Sequence, residues 1–180
     1  MKTLILMVIL VGATAYTQVT NYITKPPLNK TLNEVIKAEK IDTSKSEYSN
    51  GVMLMKGRIE GDSTDILYKF DLENRLVMKG YGIYLRGSTG KSALKKFRAV
   101  NQKIAANYGK PTFSEGMQDS PVTDTDKLYY LSKGNTLISQ YETDSFYILI
   151  ALLIETESGI HKVLISYITP EEWNIIRNSN

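Results

Sequence analysis

The chain has 180 residues, 42% of them apolar and 23% charged, which is enough for one domain with a sizeable core and is not the composition of a disordered tail. A net charge of +3 is too small to argue for nucleic acid or an anionic membrane surface as a partner. Cysteine is absent and histidine occurs once, at His161, which excludes a disulfide framework, thiolate or multi-histidine metal sites, iron–sulfur centres and cysteine nucleophiles.

The first fifteen residues read as an export address. Lys2 follows the amino terminus, Leu4 to Val11 is unbroken apolar sequence, and Ala13-Thr14-Ala15 supplies a small-residue end. The stretch is well short of the about 20 residues that a membrane-spanning helix needs. No cysteine follows the small residues, so lipid anchoring there is excluded. Cleavage after Ala15 is expected, leaving Tyr16–Asn180 as a secreted or periplasmic protein with no stable membrane span. Residues 16–30 read as a polar leader with an early strand at Gln18–Ile23, and residues 31–180 as a single domain.

Thr31-Leu32-Asn33-Glu34 is a capping box and predicts a helix to about Lys40, with Leu32, Val35, Ile36 and Glu39 along one face. Asp42 to Asn50 reads as a polar connector. Three strands follow, at 52–59, 65–72 and 76–85, broken by Gly61-Asp62-Ser63 and Glu73-Asn74-Arg75. A second helix starts near Lys91 or Ser92, with Leu94, Phe97, Ile104 and Tyr108 as its apolar stripe, and ends at Gly109-Lys110-Pro111. Phe113 to Asp126 reads as a loop. Strands then resume at Leu128–Leu131, Thr136–Tyr141, Phe146–Ile154 and His161–Ile168, and Pro170 opens a last helical turn carrying Trp173 and Ile176.

This order predicts an α+β fold. The expectation is an antiparallel sheet of six to seven strands in a helix-βββ-helix-βββ(β) pseudo-repeat, with helices packed on one face. The strands richest in apolar residues are apolar on both sides, which leaves open a dimer or a helix on each face.

The capping box, the Tyr68-Lys69-Phe70 strand and the Tyr108-Gly109-Lys110-Pro111 helix stop, behind a signal peptide, carry a resemblance. The layout resembles small secreted bacterial proteins, and its helix-then-sheet unit resembles the fold shared by β-lactamase inhibitor proteins and a small outer-membrane assembly lipoprotein. The lipoprotein cysteine is missing here. The resemblance implies a fold and a binding role, and no site residues are carried over from it.

Several motifs point to chemistry and fail on spacing. Gly87-Ser88-Thr89-Gly90-Lys91-Ser92 lies between a strand and a helix, but a phosphate loop needs glycine where Leu85 stands. Ser88-Thr89-Gly90-Lys91 and Ser92-Ala93-Leu94-Lys95 match the serine–lysine signature of penicillin-binding enzymes, yet no Lys-Thr-Gly follows. Asp124 and Asp126, with Asp119 nearby, lack the spacing of a calcium loop, and Glu171 and Glu172 suit a first helical turn. No catalytic, metal or cofactor residue is assigned.

The expected function is that of a non-catalytic protein-binding module, an inhibitor or envelope accessory protein. Its candidate contact residues are Tyr81, Tyr84, Tyr129, Tyr130, Tyr141 and Tyr147 on the open sheet face, and Lys91, Lys95 and Arg98 on the second helix. A structural or host-interaction protein without a defined ligand, and a hydrolase using loop carboxylates, are the alternatives.

Overall fold

The computed structural model describes residues 17–20, 22–115, 123–155 and 158–179; the expected signal peptide and Asp119 lie outside them. In chain order the elements are β1 (Thr17–Gln18), α1 (Leu32–Glu39), β2 (Ser46–Ser49), β3 (Val52–Ile59), β4 (Asp62–Phe70), β5 (Leu76–Leu85) and α2 (Gly90–Tyr108), then β6 (Phe113–Glu115), α3 (Asp124–Ser132), β7 (Leu137–Glu142), β8 (Tyr147–Ile154), β9 (His161–Ile168) and α4 (Pro170–Asn178).

Tight turns build the sheet. Asn50 and Gly51 take φ of 50° and 74°, and Glu60 and Gly61 take 52° and 90°. Positive φ at both central residues matches the twist of a two-residue hairpin. The strands form one α+β sheet in the order β1-β3-β4-β5-β9-β8-β7-β6, with β2 also paired to β3. Every pair is antiparallel except β1 with β3. β2 runs along Val52 to Met55 and β1 along Gly57 and Arg58, so the two share the outer edge of β3.

Alternation sorts the side chains into two layers. Met53, Met55, Ile66, Tyr68, Tyr81, Ile83, Val163, Ile165, Ile148 and Ile150 face one way and join Val35 of α1, Phe97 and Ile104 of α2 and Leu131 of α3 in the main core. α4 lies on the other face. Its Trp173 stacks on Tyr147 with ring centroids 5.3 Å apart, and its Glu172 carboxylate pairs with Lys69 at 2.5 Å.

Several expectations are corrected. Among the described residues the sheet has nine strands instead of six to seven, and the helices do not all share one face. The helix-βββ-helix-βββ(β) order is not confirmed: four strands, β2 to β5, follow α1, and β6 and α3 stand between α2 and the second meander. Asp42 to Asn50 holds a 3-10 turn at Thr43–Lys45 and then β2. Leu128 to Leu131 is helix, because Thr123 and Asp126 form a reciprocal cap that starts α3 ahead of it. The expected leader is part of the packing. Tyr22 is buried, and its carbonyl accepts a 2.8 Å hydrogen bond from the Tyr167 hydroxyl.

Phe97 is wholly buried between α2 and the sheet. Replacing it with alanine leaves a cavity and should lower the unfolding free energy by about 3–5 kcal/mol, measured by urea denaturation followed by Trp173 fluorescence. A loss below about 1 kcal/mol would contradict this packing.

Candidate functional site

The face of the sheet opposite α1 and α2 is only partly covered by α4. Cross-strand register lines up Leu54, Leu67, Gly80, Ser166, Leu149, Gln140 and Phe113 in one row. The next row runs Lys56, Asp65, Gly82, Leu164, Ala151 and Ile138. Leu54, Leu67, Leu149, Leu164 and Ile138 are each half-buried and Phe113 is exposed. α4 lies only against the end that carries Lys69 and Tyr147.

A polar cluster flanks this apolar band. Lys56 pairs with Asp65 at 2.6 Å, and the Tyr84 hydroxyl donates to the same carboxylate at 2.5 Å. Lys162 donates to the Tyr84 oxygen at 3.0 Å and lies 4.3 Å from the centre of its ring. Gly82 makes room for it, since a Cβ there would stand 2.6 Å from Lys162 Cε. Burial pushes the Asp65 carboxyl up, but the bonds from Lys56 and Tyr84 outweigh that and hold it below the usual carboxylate range. Glu47, opposite Leu54 on the same face, adds a second negative charge beside Lys56, so the cluster mixes both signs.

The expected contact residues divide. Tyr84 and Tyr147 lie on this face. Tyr81 and Tyr141 do not. They are 3% and 1% exposed and belong to the core beneath the helices, where the Tyr141 hydroxyl meets Asn101 of α2 at 3.0 Å. Tyr129, 65% exposed, and half-buried Tyr130 are on α3, not on a strand. Lys91 and Lys95 are exposed on α2, while Arg98 is joined to Asp124 and ties α2 to α3.

The motifs that pointed to chemistry have structural work. Thr89 caps α2, and a Cβ at Gly90 would stand 2.9 Å from Leu128 Cδ2, so glycine there lets α3 approach. Asp126 closes the cap of α3, and Glu172 is held by Lys69. Among the described residues no group of three or more metal-ligating side chains converges, and no helix is long and apolar enough to cross a membrane.

A second feature was not anticipated. A cavity of about 610 Å³ lies between α1, the segment from Gln18 to Pro27 and the helix-side face of β3, β4 and β5. Lys79 lines it and is only 7% exposed. Its ammonium pairs with Glu39 Oε2 at 2.5 Å, and the Tyr68 hydroxyl donates to the same oxygen at 2.6 Å. The rings of Tyr68 and Tyr81 stand 5.0 and 5.1 Å from Lys79 Nζ. Burial pulls the Lys79 ammonium below the ordinary lysine range against the pull of Glu39, and burial with the Glu39 charge pushes the Tyr68 hydroxyl up. The sequence did carry a sign of it. Lys79 shares its parity with Val77, Tyr81 and Ile83, and Glu39 continues the apolar face of α1.

At the rim of the fold, Glu60 clamps the β3–β4 turn to α2. It accepts from Lys96 at 3.0 Å, from Lys103 and from the Tyr22 hydroxyl at 2.8 Å. The bonds from Lys103 and Lys96 hold its carboxyl down at about 2. Comparisons of the chain with known protein families, with curated proteins and with solved structures found no match.

Because the folded value of Glu60 lies below its ordinary 4.5, its contribution is complete above pH 4.5 and is lost as the pH falls toward about 2. Thermal melts should show the wild type losing more stability across that window than Glu60→Gln. Equal losses would contradict the clamp.

Proposed function

We propose that the protein is an exported, non-catalytic binding protein, of the kind its helix-plus-sheet layout resembles. In this reading the sheet face opposite α1 and α2 receives a partner protein. One observation carries it: half-buried leucines run across that face on both sides of Gly80 and Ser166, beside the charged cluster of Lys56, Asp65 and Lys162. Apolar side chains left at a sheet face lose water only when another surface covers them. α4 already uses this strategy at one end, where Trp173 covers Tyr147. The partner that fits has an apolar centre rimmed by carboxylates facing Lys56 and Lys162. The A-x-A end of the first fifteen residues supports export, and Asp124, Asp126 and Glu172 are engaged as ion pairs and a helix cap.

Intact mass from the soluble extracytoplasmic fraction should match Tyr16–Asn180. Partner recovered from that fraction should fall about tenfold or more for Leu67→Asp/Leu164→Asp, with the melt retained, and stay level for Lys91→Ala/Lys95→Ala. Unchanged recovery with the aspartates, or loss with the alanines, would contradict the reading.

A further inference from the structure

We propose that the cavity over β3, β4 and β5 binds a small uncharged molecule whose polar end offers a hydrogen-bond acceptor beside a donor, taken by Lys79 and Glu39. This inference concerns the helix side of the sheet and does not rest on the partner surface described above.

The cavity is of the size that small-molecule sites have, at about 610 Å³. Val19, Pro26, Pro27, Ile41, Met55 and Ile66 give it apolar walls for the body of a ligand. The polar end is what calls for one. Among the described residues, Lys79 Nζ makes one hydrogen bond, to Glu39 Oε2, although an ammonium has three donors. The bonds to Glu39 from Lys79 and Tyr68 both reach Oε2, and Oε1 takes none from a described residue. The carboxylate oxygen Oε1 and the ammonium donors that face only the rings of Tyr68 and Tyr81 therefore remain for whatever enters.

An ion pair whose lysine is buried and whose glutamate is half-buried is a poor way to stabilise a core. Removing both ions from water costs about as much as their attraction returns, and well-packed apolar residues do as well or better. A pair kept at such cost on the wall of a cavity marks a place where polar groups are used.

The charge of the pair selects the ligand class. Lys79 and Glu39 sum to zero, and the other charged residues that line the cavity, Lys25, Lys40 and Asp42, are exposed to water. An anion would compete with Glu39 for Lys79, and a cation would compete with Lys79 for Glu39. A neutral group satisfies both, accepting from the ammonium and donating to the free carboxylate oxygen. Adjacent hydroxyls of a sugar have this chemistry, and so does an amide.

The test is an amide-shift titration of the isotope-labelled protein by nuclear magnetic resonance. The probes are methyl α-glucopyranoside, N-acetylglycinamide and, as a charged control, inorganic phosphate. Saturable shifts at Glu39, Tyr68, Lys79 and Tyr81 with either neutral probe support the proposal, and the probe that gives them tells sugar from amide. Affinity should fall about tenfold or more in Lys79→Met, the loss expected for a charged hydrogen bond. Should that variant unfold, Lys79→Met/Glu39→Leu replaces the whole pair with apolar groups; it should fold and lose the shifts. No shift with either neutral probe, equal shifts with phosphate, or undiminished shifts in the double variant would overturn the proposal.

Discussion

Strand β5 is hydrogen-bonded along both edges, to β4 and to β9, so its pleat decides what each face of the sheet can be. Its odd-numbered residues, from Lys79 to Leu85, point under α1 and α2, and its even-numbered ones, Gly80, Gly82 and Tyr84, point to the other side. The register carries that division outward through β4 and β3 and through β9, β8 and β7. A slip of one residue anywhere in this path would exchange the core side with the opposite face. The turns at Asn50-Gly51 and Glu60-Gly61 hold the register on one side, and Glu60 is itself held by two lysines of α2.

The two faces then differ in how they treat charge. On the helix side, Lys79 is nearly enclosed and must be met by Glu39 and two tyrosine rings. That contact also ties the last turn of α1 to the middle of the sheet. On the other side, Lys162 and Lys56 remain at the surface, and the glycines of β5 leave a shallow floor over which Lys162 lies flat. Buried charge beside a cavity suits a small ligand, and half-covered leucines beside surface charge suit a macromolecule.

Much of this was legible in the residues. The Thr31–Glu34 capping box, the Gly109 stop and Pro170 located helix ends, because those positions have few chemical solutions. The Asn50-Gly51 pair was an equally strong hairpin sign and revealed β2 only in the structure, since the strand before it is short and polar. Leu128 to Leu131 was mistaken for a strand because a short apolar run has no period of its own, and the cap at Thr123 settles it as helix. Tyr81 and Tyr84 could not share a face, being three apart on one unbroken strand. Which of them faced the core was hidden, because β5 is apolar or glycine on both sides. The pairing of Lys79 with Glu39 spans 40 residues and depends on where α1 docks, which no local pattern states.

The central claim is that one face of the sheet carries the packed core under the helices and that the other, as proposed, receives a partner. Carbene footprinting with mass spectrometry tests it most directly, on the isolated protein and on the protein in its native extracytoplasmic fraction. The account predicts that Leu54, Leu67, Leu149 and Leu164 label in isolation and become protected in the fraction, while Ile83 and Ile165 stay unlabelled in both. Unchanged labelling of those leucines, or protection confined to α2 and α3, would contradict it.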